Sequence, residues 1–166
     1  YTYFSDISVG ETTCDGKKKM YELLNDIKET HILHLPQGQD RPYAKDIWYE
    51  EVKLLKERLE EKFNVTITED DLRKAVRKRN ELRKVLCEMY ELQQTCPPAM
   101  RGTEMMLAFQ KGSFTFDLDQ QIEHIRGLVE EAKKSYAAGE RIVPASAKRI
   151  LITGCPTGGV IQKVGM

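Results

Sequence analysis

Residues 12–20 read Thr12-Thr13-Cys14-Asp15-Gly16-Lys17-Lys18-Lys19-Met20 and mark a change in the hydrophobic periodicity of the chain. Before them, residues 3–9 mix aromatic and β-branched side chains, which favours a strand. After them, residues 17–27 place Met20, Leu23, Leu24 and Ile27 at helical spacing. The sequence therefore predicts a strand-to-helix turn around Cys14, a typical building block of α/β proteins.

A second turn of the same kind is predicted near the other end of the chain. Residues 150–160 read Ile150-Leu151-Ile152-Thr153-Gly154-Cys155-Pro156-Thr157-Gly158-Gly159-Val160. Residues 148–153 are predicted to form a strand, and the continuous apolar run over residues 150–152 is typical of a strand that is covered on both faces. The glycine-rich turn that follows leads into a predicted helix, and residues 31–35 form a further short strand candidate.

Helices dominate the prediction for residues 41–139. An apolar stripe starting at Trp48 predicts one helix, and residues 69–93 predict a second that ends before Pro97. Residues 102–110 predict a shorter helix, and Asp117 is the predicted N-cap of a third long helix, which Gly139 terminates. In the helix over residues 69–93, the side chains expected to point inward are Leu72, Val76, Leu82, Leu86 and Tyr90.

The predicted fold class is α/β with a large helical insertion, and α-helix predominates. Residues 1–40 would be the end of a first, partial α/β lobe, residues 41–145 a helical domain, and residues 146–166 the truncated start of a second lobe. The chain begins without Met and stops just as a helix is predicted to begin. We therefore expect it to be a fragment of a longer protein.

Composition narrows the classes of function. The 166 residues carry 26 Lys and Arg against 26 Asp and Glu, a formal net charge of zero, so neither a nucleic acid nor a membrane is expected as partner. No apolar run approaches the roughly 20 residues of a membrane span. The four cysteines form no C-x-x-C pair in a charged, helix-rich chain, which favours a reducing cytoplasm over a secreted disulfide scaffold.

Cys14 and Cys155 are the candidate functional residues. Each is predicted to lie between a strand and a helix, where unpaired backbone N–H groups suit a thiolate to metal ligation or nucleophilic attack. Ligands in open α/β sheets bind beyond the carboxyl ends of strands, so two such turns could converge on one site. The alternatives stay open: Cys14 as a small buried apolar residue, and Cys155 as packing behind a tight turn.

Other candidates have simpler interpretations. Cys87 lies beside the apolar stripe of its helix and is predicted to be core, whereas Cys96 precedes Pro97 and is predicted to be structural or incidental. The lysine run at residues 17–19 and the basic residues 73–83 are predicted to be solvated faces, although a docking role is possible. The turn at residues 154–159 has the outer glycine spacing of a P-loop, but Val160 replaces the required Lys.

Two stretches resemble a known family. Residues 11–23 and residues 150–160 resemble the 2-hydroxyacyl-CoA dehydratase and benzoyl-CoA reductase superfamily of iron–sulfur proteins, and are most similar to its double-cubane-cluster branch. The resemblance implies two Rossmann-like lobes around a helical domain, with an iron–sulfur cluster, 4Fe–4S or double-cubane, between the lobes. Cys14 matches a cluster ligand and Cys155 matches a cysteine of the double-cubane branch. Because the family uses further cysteines, the cluster is expected to be incomplete or absent in this chain.

The implied activity is low-potential electron transfer in an anaerobic cytoplasm. An ATP-dependent iron–sulfur activator (reductase) would supply the electron, for dehydration of a 2-hydroxyacyl-CoA or reduction of a small molecule. A second dehydratase-type subunit or a second copy of the chain would be the other partner, and the chain alone would be inactive. Two alternatives remain: a non-catalytic helical interaction or scaffold module with structural cysteines, and a phosphate- or nucleotide-binding protein that uses the glycine-rich turn.

Overall fold

A parallel pair of strands and two helices form the first of two compact units, residues 1–69 and 70–166. The computed structural model describes residues 2–151. In chain order the first unit contains β1 (Ser8–Glu11), α1 (Asp15–Asn25), β2 (Thr30–Leu33) and α2 (Ala44–Phe63). β1 and β2 pair in parallel, with Ser8 opposite Thr30 and Glu11 opposite Leu33. Parallel strands need a crossover, and α1 is that crossover, so this unit is a β–α–β unit followed by a helix.

Close contact between Gly10 and Tyr21 packs α1 onto the sheet. Tyr21 is the buried residue of α1, with 7% of its surface exposed. A Cβ atom on Gly10 would overlap the Tyr21 ring, within 2.6 Å of its Cε1 and Cε2 atoms. The absence of a side chain at Gly10 therefore allows the ring to lie directly on the strand backbone.

Three α-helices of the described chain build the second unit. They are α3 (Glu69–Glu91), α4 (Gly102–Gly112) and α5 (Leu118–Ala137), and a short 3₁₀ helix, Leu92–Gln94, follows α3. Nine buried residues form the core between them: Leu82, Val85, Met89, Leu92, Met100, Ala108, Ile122, Ile125 and Val129.

Helix ends in this unit follow the predicted signals. Asp117 Oδ1 accepts hydrogen bonds from the backbone N–H groups of Asp119 and Gln120, at 2.9 and 3.0 Å, which confirms it as the N-cap of α5. Gly139 has a φ of 89°, just beyond the end of α5, and so confirms the predicted glycine stop.

The inward face of α3 differs from the prediction. Leu82 is buried and Leu86 packs on the core, as expected, but Leu72, Val76 and Tyr90 are exposed. Val85 and Met89 are the further buried residues of this helix. The core begins at Leu82, so the apolar residues of the first turns have no core to enter. Cys87 lies on the opposite side of α3 from Leu82, Val85 and Met89 and is exposed, so the prediction that it belongs to the core is wrong.

The predicted strand over residues 148–153 is not formed in its first four residues. Residues 148–151 have no regular secondary structure, and Ile150 and Leu151 are 83% and 86% exposed. A strand needs a neighbour for its ladder of hydrogen bonds, and none pairs with these four residues in the described part of the chain. Thr153, Cys155 and the predicted helix after them lie outside the described residues.

The architecture agrees with the α/β class and with the predominance of helix. Two Rossmann-like lobes, and domain limits at residues 1–40, 41–145 and 146–166, stay predictions. β1 spans Ser8–Glu11 instead of residues 3–9, because its partners in the ladder are residues 30–33. None of the described helices combines the length and apolar character needed to cross a membrane.

Candidate functional site

Cys14 is the N-cap residue of α1. Its backbone is extended, with φ −147° and ψ 159°, and its Sγ accepts a hydrogen bond from the backbone N–H of Lys17 at 3.4 Å. The thiol is exposed. The strand-to-helix turn predicted around Cys14 is therefore confirmed, and the alternative of a buried apolar cysteine is wrong.

The first turn of α1 places a backbone N–H donor and an ion pair near this thiol. The exposed N–H groups of a helix N-terminus carry partial positive charge, and one of them already points at Cys14 Sγ. The Lys17 ammonium group forms an ion pair with Glu11 Oε1 at 2.7 Å. Hydrogen bonds from Lys17 and then from Thr13 lower the pKa of Glu11, and the Glu11 carboxylate raises the pKa of Lys17. Both groups are therefore charged at neutral pH.

The lysine run is paired with nearby carboxylates. Lys18 lies 3.5 Å from Asp15, and Lys19 lies 2.5 Å from Glu22. Such exposed pairs contribute little to stability, but they neutralise most of the charge of the run. This agrees with a solvated face rather than an open basic patch.

Thr12 ties the Cys14 turn to the chain that follows β2. Its backbone N–H donates to the carbonyl of Leu33 at 3.1 Å, and its hydroxyl oxygen accepts from the N–H of Leu35 at 2.9 Å. The N–H of His34, between these two residues, donates to the Glu51 carboxylate on α2 at 3.0 Å. The turn is thus connected through the end of β2 to a second helix.

The first turn of α1 is open to solvent at Gly16. A Cβ on Gly16, two residues after Cys14, would meet no atom within 4 Å apart from its chain neighbours and the backbone of its own helix. An exposed thiol at a helix N-terminus that already accepts one N–H donor fits a cysteine ligand of a metal cluster. Among residues 2–151, however, no three His, Cys, Asp or Glu side chains group together as a metal site. Cys14 therefore offers a single ligand in this part of the chain.

Sequence comparison decides the family. The family model of the 2-hydroxyglutaryl-CoA dehydratase D-component matches residues 1–164. The chain belongs to this family. The Escherichia coli (strain K12) protein named "Putative dehydratase subunit YjiM" is 39% identical over 164 residues, which cover 99% of this chain and 42% of that relative. The chain spans about two fifths of the length of this curated relative, and membership of the 2-hydroxyacyl-CoA dehydratase superfamily is confirmed.

In this member of the dehydratase family, Cys87 and Cys96 have different surroundings from Cys14. Cys87 is exposed on α3, and Cys96 is exposed before a cis peptide bond to Pro97. The carbonyl of Cys96 accepts a hydrogen bond from the Tyr136 hydroxyl at 3.3 Å, which links the loop to α5. Cys155 lies outside the described residues, so its convergence with Cys14 stays a prediction.

Sequence reasoning missed Glu11 and Thr12. Thr12 is the first residue of the predicted turn and Glu11 precedes it, yet neither residue type is specific to a site. The available signal was the position of Thr12, because a hydroxyl that follows a parallel strand lies beside the end of the neighbouring strand.

Proposed function

We propose that the whole protein is an iron–sulfur enzyme of the 2-hydroxyacyl-CoA dehydratase type, in which Cys14 and Cys155 each supply one thiolate to the cluster. The observation that carries the proposal is the placement of Cys14: an exposed N-cap thiol that accepts a hydrogen bond from the backbone N–H of Lys17, in a chain of a dehydratase family. A 4Fe–4S or double-cubane cluster takes more cysteine ligands than these two. The 166-residue chain alone would then hold an incomplete cluster or none, and be inactive.

The chain's own residues have defined tasks in this proposal. Cys14 anchors the cluster, and the N–H of Lys17 donates a hydrogen bond to the ligating sulfur. The N-terminus of α1 and the Lys17 ammonium group favour the negative charge of a thiolate-bound cluster. When bound, the cluster supplies a low-potential electron.

Partners and substrate follow from the same proposal. An ATP-dependent iron–sulfur activator would deliver the electron, and a second dehydratase-type subunit or a second copy of the protein would complete the enzyme. The electron would serve the dehydration of a CoA thioester or the reduction of a small molecule. Thiolate clusters are oxygen-sensitive, so we place the protein in an anaerobic cytoplasm. Family membership is the support for these assignments.

Iron and acid-labile sulfide per chain test the proposal. The intact protein that contains this sequence would be purified without oxygen, beside its Cys14→Ala variant and beside the 166-residue chain. We expect about equal amounts of iron and sulfide in the intact protein, and a loss of most of both in the variant. Cys87→Ala is the matched control, because Cys87 is also an exposed helix cysteine, and it should retain the cluster.

Two outcomes would contradict the proposal. Full iron content in Cys14→Ala would show that Cys14 is not a ligand. An intact protein without iron or sulfide would favour the alternative, a non-catalytic helical interaction module whose cysteines are structural.

A further inference from the structure

Two adjacent threonines precede Cys14, and their hydrogen bonds differ. The Thr13 hydroxyl donates to Glu11 Oε1 at 3.1 Å, and the Thr13 N–H donates to the Glu11 carbonyl at 2.9 Å, so both bonds stay within the turn. Thr12 instead reaches the neighbouring strand end. Its N–H binds the Leu33 carbonyl, and its partly buried hydroxyl binds the Leu35 N–H. A residue held through both its backbone and its side chain cannot rotate away from that strand end.

This attachment continues to α2. The two residues bonded by Thr12 flank His34, whose N–H donates to Glu51 on α2 at 3.0 Å. The end of β2 is therefore held by α2, and the hydrogen bonds of Thr12 connect the Cys14 turn to this fixed strand end. Cys14 follows two residues later and needs an extended backbone to place its Sγ at 3.4 Å from the Lys17 N–H.

We propose that Thr12 is the positioning residue of Cys14: its hydroxyl, by accepting from the Leu35 N–H, holds the turn so that the Cys14 sulfur faces the N-terminus of α1. Glu11 and Lys17 close the turn from the other side through their ion pair. The importance of this position for a cluster rests on the proposed function, whereas the hydrogen-bond geometry does not. A metal ligand needs such a support, because its orientation is set by the groups around it.

Amide signals of the 166-residue chain test the role of Thr12. The reference is Cys14→Ala, which removes the sulfur acceptor and defines the chemical-shift change of the Lys17 amide proton. We expect Thr12→Val to change the chemical shift of the Lys17 amide proton by at least about half of this reference change. The same substitution should speed hydrogen exchange of the Leu35 amide by about tenfold. Thr12→Ser keeps the hydroxyl and should restore both signals. Thr13→Val is the matched control and should leave both unchanged, because Thr13 binds only within the turn.

The Lys17 amide signal shows whether Thr12 positions the Cys14 sulfur or only stabilises the chain after β2. Faster exchange at Leu35 with an unchanged Lys17 amide would overturn the proposal, as would no change at either residue. Trp48 fluorescence reports whether the unit is folded, since Trp48 is the only tryptophan and lies on α2. If Thr12→Val unfolds the unit, Thr12→Ala provides the same test without a branched side chain.

These readouts need no cluster, so they are independent of the iron measurement. A shifted Lys17 amide together with an iron-free intact protein would reject the proposed function and retain the positioning role. Iron in the intact protein, together with a Lys17 amide signal that Thr12→Val leaves unchanged, would retain the proposed function and reject the positioning role.

Discussion

At the scale of single residues, the contact between Gly10 and Tyr21 decides whether α1 can lie on the sheet. The Tyr21 ring occupies the space of the missing Gly10 side chain, so Gly10→Ala forces the ring or the helix to move. Overpacking of this kind costs about 1–3 kcal/mol, and we expect the unfolding free energy of the first unit to fall by that amount. Urea denaturation followed by Trp48 fluorescence measures it.

Gly16→Ala is the control for that substitution. The position has open space and lies in the first turn of α1, so alanine should raise stability by about 0.4–1 kcal/mol through a less flexible unfolded chain. Equal effects of the two substitutions would show that the Tyr21 ring does not restrict Gly10.

Residue-scale prediction succeeded where one local signal was sufficient. A cysteine followed by Asp-Gly and a helical pattern placed Cys14 correctly at a helix N-terminus, and Asp117 was correctly assigned as an N-cap. The role of Thr12 could not be predicted in this way. It depends on the register of β1 against β2, which brings residues 12 and 35 together although 23 positions separate them.

At the scale of elements, α3 shows how neighbouring helices select the buried face. Val76 and Val85 belong to the same helix, yet Val76 is 57% exposed and Val85 is 4% exposed. Helical periodicity fits a face through Val76 as well as one through Val85, so the sequence of α3 alone could not decide between them. Contact with α4 and α5 decides, because the core residues on those helices face Leu82, Val85 and Met89.

The two valines give a matched pair of substitutions on one helix. Val85→Ala should lower the unfolding free energy by about 1–3 kcal/mol, because it removes buried apolar surface and leaves a cavity. Val76→Ala should change it by less than about 0.5 kcal/mol, since the side chain is already solvated. Thermal unfolding followed by circular dichroism compares them. A larger loss of unfolding free energy in Val76→Ala than in Val85→Ala would support the inward face that the sequence predicted.

At the scale of the whole molecule, the chain has a formal net charge of zero, and several of its carboxylates are paired with specific Lys or Arg side chains. Lys17 lowers the pKa of Glu11, Lys56 lowers that of Glu60, and Arg126 lowers that of Glu81, in each case mainly through a hydrogen bond to the carboxylate. The pKa of Glu29 is lowered in the same way, by Lys62 and Arg58. The Lys62 ammonium lies 2.6 Å from the Glu29 carboxylate and the Arg58 guanidinium lies 2.5 Å from it. Glu29 precedes β2 and both cations lie on α2, so this cluster joins the sheet to a helix.

The sign of the linkage predicts acid sensitivity. Each of these carboxyls has a lower pKa in the folded chain than its ordinary value of 4.5. The folded state therefore resists protonation, and the stabilisation is complete above pH 4.5 and is lost as the pH falls through the lowered pKa values. Melting temperatures measured from about pH 7 to about pH 3 should stay level at first and then fall.

Glu29→Gln isolates one contribution to that acid sensitivity. The variant keeps the size of the side chain but has no charge to lose, so it should melt below the parent chain at neutral pH. On acidification the parent loses the charge on Glu29 and the variant does not, so the two melting temperatures should converge below pH 4.5. Parallel curves down to the lowest pH would show that the carboxylate charge of Glu29 does not stabilise the contact between β2 and α2.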